Sequence, residues 1–110
     1  GLQPFKVIVI KKKELKEKDI EKYLRDEIKK LGGIAYKFVS LGNAGVPDRL
    51  VLLPFGQIYF VELKAPGKKT RAIQNRQIEK IEKLGFRVVV IDSKEQVNDF
   101  ITALRPLGKE

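Results

Sequence analysis

Gly45-Val46-Pro47-Asp48-Arg49-Leu50-Val51-Leu52-Leu53-Pro54-Phe55-Gly56-Gln57-Ile58-Tyr59-Phe60-Val61-Glu62-Leu63-Lys64 is the stretch on which the fold of this 110-residue chain turns. Arg49 to Leu53 and Ile58 to Lys64 are rich in β-branched and aromatic residues. Pro54 to Gln57 carries the Pro and Gly of a tight turn, so the stretch predicts a β-hairpin. A turn centred on Phe55 and Gly56 pairs residues whose numbers sum to about 111, which sets Asp48 opposite Leu63 and diagonal to Glu62 and Lys64. Glu62 and Lys64, two apart on one strand, share a face. Two acids and a lysine thus gather at one end of one hairpin.

Upstream, Ile34 to Val39 predicts a strand and Ser40 to Pro47 a Gly-rich loop. Before them, Ile20, Tyr23, Leu24, Ile28 and Leu31 recur at spacings of three and four, which predicts an amphipathic helix over about Lys16 to Leu31, stopped by Gly32-Gly33. Downstream, Ala65 to Thr70 breaks the pattern, and a second helix is predicted from about Thr70 to Leu84, ended by Gly85. The nearly continuous apolar run Phe86 to Ile91 suits a central strand buried on both faces. Ser93 and Gln96 form a capping-box pattern for a last helix carrying Val97, Phe100, Ile101 and Leu104. At the amino terminus, Phe5 to Ile10 reads as a strand leading into Lys11-Lys12-Lys13. Strand, helix, strand, hairpin, helix, strand, helix predicts an α/β fold, a mixed central sheet flanked by helices in a single domain. Residues 1–15 are expected to form an amino-terminal strand or arm, a candidate dimerisation segment, and residues 16–110 the domain proper.

Composition removes several chemistries. The chain has no Cys and no His, so disulfides, thiol nucleophiles, Ser-His-Asp catalysis and the usual zinc sites are excluded. Carboxylates remain, and they suit hard cations such as Mg²⁺ or Mn²⁺. No apolar run reaches the roughly 20 residues of a membrane span, which points to a soluble, intracellular protein with no membrane partner. Lys and Arg number 23 against 14 Asp and Glu, a net charge of +9, which suits an anionic partner. Lys64, Lys68, Lys69, Arg71 and Arg76 follow one another with no acid between them, forming a candidate phosphate-binding segment beside the hairpin acids. Gly67-Lys68-Lys69-Thr70 superficially suggests a nucleotide P-loop but lacks the earlier Gly, so no nucleotide cofactor is expected.

Asp48, Glu62 and Lys64 together match metal-assisted phosphodiester hydrolysis: two carboxylates and the carbonyl between them hold the cation, while the lysine orients water or steadies developing negative charge. At 100° per residue, Glu17 lies roughly 25° from the centre of the first helix's apolar stripe and Glu21 roughly 65° away. Glu17 therefore faces the core side, whereas Glu21 can pair with Arg25. Gln74 and Gln77 both lie on the apolar side of the second helix, where a buried amide demands partners. Spacing alone does not separate these two.

Gly45–Val51 (GVPDRLV), Phe60–Gly67 (FVELKAPG), a helical Gln and Leu84–Val88 (LGFRV) together resemble the VRR-NUC domain of the PD-(D/E)XK nucleases, over about Lys16 to Asp92. The resemblance implies a restriction-endonuclease-like core and a Mg²⁺- or Mn²⁺-dependent DNA endonuclease. It implies metal ligation by Asp48, Glu62 and the Leu63 carbonyl, a catalytic Lys64, and a first-helix acid at Glu17, through water, or at Glu21. The family's helical glutamine falls on Gln74. Lys68, Lys69, Arg71 and Arg76 would meet DNA. Stand-alone members of similar size imply a homodimer acting on branched DNA such as Holliday junctions, often phage-encoded. From another class, an inactive nucleic-acid-binding module on the same fold would share the charge, as would a small structural RNA binder, but neither needs the converging acids and lysine.

Overall fold

In a computed structural model the described residues run from 16 to 104; the strand expected at Phe5 to Ile10 lies outside them. Glu17–Lys30 forms helix α1, Ile34–Lys37 strand β1, Arg49–Leu53 strand β2, Gln57–Leu63 strand β3, Ala72–Lys83 helix α2, Arg87–Ile91 strand β4 and Lys94–Ala103 helix α3. α1 starts where the Asp19 carboxylate accepts from the Lys16 N–H at 3.0 Å, with acids in its first turn and Lys29 and Lys30 in its last, as the helix dipole favours. Its stripe of Ile20, Leu24 and Ile28 is fully buried. α3 is capped by Ser93 Oγ, which accepts from the Gln96 N–H at 3.1 Å. The Gln96 side chain reaches back to the Asp92 N–H at 2.6 Å rather than to that of Ser93.

The strands form one mixed sheet in the order β1-β2-β3-β4. β1–β2 and β2–β3 are antiparallel, while β3–β4 is parallel, with α2 as the crossover that parallel neighbours require. α1 and α3 cover one face. There Ala35, Val51, Leu53, Val61, Leu63 and Ile91 meet Ile20, Leu24, Ile28, Val97, Phe100 and Leu104 in one core. α2 lies over the other face at the Glu62 end, where Gln74 bonds to Glu62. The expected α/β sheet flanked by helices is the observed architecture.

Two expectations need correction. The hairpin pairs Leu53 with Gln57 and Arg49 with Val61, so partners sum to 110, one less than a turn centred on Phe55 and Gly56 would give. The cause is a loop of three residues, Pro54–Gly56, in which Phe55 (φ 67°) and Gly56 (φ 74°) are both left-handed. A one-residue slip exchanges sheet faces. Continued past the strand end, the register sets Asp48 across from Glu62 and on its face. The second correction concerns Phe86–Ile91. Among the described strands β4 is an edge strand, and Val90 is 41% exposed. Its apolar run reflects an outer sheet face that is hydrophobic without being covered.

Candidate active site

The site lies at the carboxyl end of β3. Asp48 immediately precedes β2, and its carbonyl accepts from the Phe38 N–H at 2.8 Å, which extends the β1–β2 pairing to this position. Gly45 makes that chain path possible: its φ is +90°, and a Cβ there would stand 2.8 Å from the Ile73 carbonyl oxygen. The loop is thereby pressed onto the first turn of α2. Asp48 Oδ2 accepts from the Leu63 N–H at 2.8 Å, pinning the carboxylate beside Glu62 across the sheet.

Glu62 is 2% exposed. Its Oε2 accepts from Gln74 Nε2 at 2.8 Å and stands 3.2 Å from Lys64 Nζ, whereas its Oε1 is buried with no hydrogen-bond partner. Burial pushes the Glu62 carboxyl up to about 7; neighbouring Asp48 adds to this, and the Lys64 hydrogen bond opposes it. Gln74 joins the parts. Its Oε1 accepts from Lys64 Nζ at 2.7 Å and from the Arg71 N–H at 2.9 Å, so one amide holds the lysine, the glutamate and the start of α2. Gln77 is used differently, donating to the Ala44 carbonyl at 3.3 Å and tying the Gly-rich loop to α2.

Glu17 opens α1 near this cluster. Desolvation raises its carboxyl above the ordinary range, Asp48 adds to the rise and Lys64 opposes it, which places all three within electrostatic reach of one another. Glu21 is engaged elsewhere. Its Oε1 lies 2.6 Å from Arg49 Nη2 and 3.2 Å from Arg25 Nε. Arg49, which sequence reasoning missed, also donates to the Ala35 carbonyl at 3.2 Å. Its signal was legible: Arg49 shares the inward face with Val51 and Leu53, and an inward arginine demands an acid. Lys68, Lys69, Arg71 and Arg76 are all exposed. The loop carrying the first two is held by Asp92 Oδ2, which accepts from the Gly67 N–H at 3.2 Å.

A bound divalent cation fits these residues. The partnerless Glu62 oxygen is an acceptor awaiting a ligand, Asp48 is pinned through one oxygen only, and carboxylate oxygen is the donor chemistry that Mg²⁺ and Mn²⁺ take. Among the described residues no three acids cluster closely enough to bind an ion by themselves, so a backbone carbonyl and water would complete the shell.

No family model matches the chain. It is 54% identical over 81 residues to "Putative nuclease p44" of Acyrthosiphon pisum secondary endosymbiont phage 1, across 74% of this chain and 87% of that protein. A solved structure described as "VRR_NUC domain" superposes with a TM-score of 0.74 at 38% identity, covering 78% of this chain and 94% of the other.

Proposed function

The chain belongs to the VRR-NUC family of nucleases, and on that premise we propose that it is a divalent-metal-dependent DNA endonuclease acting as a homodimer on branched DNA, with Asp48, Glu62, Lys64 and Gln74 as its working centre. One observation carries this reading: a buried glutamate with an unsatisfied oxygen lies beside a second carboxylate and a lysine locked in place by an amide.

Asp48, Glu62 and the Leu63 carbonyl would hold Mg²⁺ or Mn²⁺, with Glu17 reaching it through water. The bound cation supplies Lewis-acid polarisation of the phosphodiester and neutralises its charge. Lys64 donates hydrogen bonds from a fixed position, orienting the attacking water and balancing negative charge as it develops on phosphate oxygen. Gln74 keeps the Lys64 ammonium from collapsing fully onto Glu62, since it shares both partners. Lys68, Lys69, Arg71 and Arg76 bind the DNA backbone and bring the scissile phosphate to the carboxylates. In Lys64→Arg the planar guanidinium replaces a point charge, so the rate should fall at least tenfold with metal affinity little changed, as single-turnover kinetics and calorimetric Mn²⁺ titration would show.

The deciding experiment is cleavage of supercoiled plasmid, flap, fork and four-way junction DNA with Mg²⁺, Mn²⁺ or EDTA, comparing wild type with Glu62→Ala. Metal-dependent cutting that disappears in the variant is expected, with symmetric paired nicks across the junction. Tight binding without cutting by either protein would overturn the nuclease centre in favour of a binding module.

A further inference from the structure

The loop that delivers Asp48 carries an apolar tip. Phe38 donates its N–H to the Asp48 carbonyl at 2.8 Å, so residues 39–47 leave the sheet and return to it at the position of the first carboxylate. Within that excursion Leu41 is 91% exposed and Val39 65%. The tip is braced. The Asn43 side chain donates to Ser40 Oγ at 2.9 Å and to the Leu41 carbonyl at 3.4 Å, and the Asn43 N–H donates to the Ser40 carbonyl at 3.2 Å. The base of the loop is braced as well, by Gln77 on the Ala44 carbonyl and by the close approach of Gly45 to Ile73. A large aliphatic side chain is therefore held out in water on a loop fastened at its tip and at its base, so little ordering remains to oppose binding there.

We propose that Leu41 is a wedge that packs against the open face of a nucleobase at a DNA branch point, with Val39 supporting it. The inference deepens the reading of the site as a nuclease of branched DNA, on which it rests. Position and chemistry select the occupant. Leu41 follows Phe38 by three residues, which puts it within about 10 Å of the strand end that holds Asp48, a reach of about three base steps at 3.4 Å each. The loop docks on the first turns of α2, the helix into which the cationic segment Lys64 to Arg76 also runs, so DNA held by those cations passes the tip. Residues 39–47 carry no charged side chain and offer phosphate no ion pair. The apolar surface that DNA can present to leucine is the face of a base, and in a continuous duplex those faces are covered by stacking. They open where strands part, and aliphatic side chains are among those that enter such steps. An apolar tip beside the carboxylates would thus read the place where the duplex is interrupted, which the lysines and arginines, binding backbone alone, do not read.

The test compares binding to a four-way junction and to linear duplex of the same length by fluorescence anisotropy in EDTA, for the full chain as wild type, Leu41→Ser and Leu41→Phe. Leu41→Ser should reduce the preference for the junction about tenfold, and Leu41→Phe should keep it, since a ring packs on a base at least as well as an aliphatic chain. A second readout is 2-aminopurine at the branch point, which should brighten on unstacking by saturating wild type and stay dim with Leu41→Ser. Urea unfolding of Leu41→Ser should match wild type, because the side chain is exposed. An unaltered preference in Leu41→Ser, or a wild type that leaves the 2-aminopurine dim, overturns the wedge while the nuclease reading stands. An equal loss on junction and duplex also overturns it, as does a changed mass of Leu41→Ser in solution, which would make Leu41 a contact between chains. A wild type that cuts plasmid with no preference for branched DNA removes the branched substrate and the wedge together, and one that neither binds nor cuts DNA overturns the nuclease reading itself.

Discussion

Glu62 concentrates the tension of the site: a carboxyl removed from water, with one oxygen satisfied and the other not. Because its folded-state value is raised to about 7 from 4.5, the metal-free fold holds its proton more tightly than the unfolded chain does. That stabilisation is fully present below about pH 4.5 and is lost as pH rises through about 7, a swing of about 3 kcal/mol. Denaturant unfolding in EDTA should therefore show this loss between pH 5 and 8, and Mg²⁺ should restore stability at the upper end. Glu62→Gln should flatten the pH dependence, raise the metal-free stability at pH 8 and abolish cleavage. Most of the centre was legible at this scale because its residues are chemically unusual for their positions. E-x-K after four apolar residues is costly unless it works, and the paired Gln74 and Gln77 demanded partners. Spacing did not separate the two glutamines, because both lie on one helical face, and only the resemblance pointed to Gln74; in the structure the loop docking at Gly45 gives Gln77 its separate role.

The hairpin and the loop before it decide where the acids point. Gly45→Ala should destabilise the fold by about 1–3 kcal/mol, since its Cβ would press on the Ile73 carbonyl oxygen and its φ is +90°. Gly42→Ala, also at positive φ but in open space, should cost only about 1 kcal/mol. Urea unfolding of both variants measures the difference, and Gly45→Ala should also cut more slowly because Asp48 follows the displaced loop. Helices α1, α2 and α3 and the four described strands were readable from periodicity and Gly stops to within a few residues. The hairpin register was not, because Pro54-Phe55-Gly56 can turn the chain around two residues or three, and only the left-handed Phe55 decides between them. β4 misled for a related reason: an apolar run records the character of its side chains and does not say whether both faces of the strand are covered.

For the whole molecule, net charge and topology act together. The acid-free run from Lys64 to Arg76 leaves the carboxylate centre along the loop that enters α2, so DNA bound there passes the acids. Lys68→Ala combined with Lys69→Ala should weaken binding and reduce the slope of log affinity against log salt by about 2, since each phosphate left without its cation removes roughly 0.9. Fluorescence anisotropy between 50 and 200 mM salt checks this, and an unchanged slope would remove both lysines from the interface. Among the described residues no helix is long and apolar enough to cross a membrane.

Gln74 ties the centre to a late event in the life of the chain. The amide that fixes Lys64 and Glu62 also caps the start of α2, and α2 is the crossover that closes the parallel β3–β4 pair, a long-range pairing of the kind that forms slowly. Until that crossover seats, the lysine and glutamate have neither their spacing nor their bridge. On the proposed reading, a chain whose α2 has not yet seated is expected to cut poorly, because Lys64 and Glu62 then lack the Gln74 bridge.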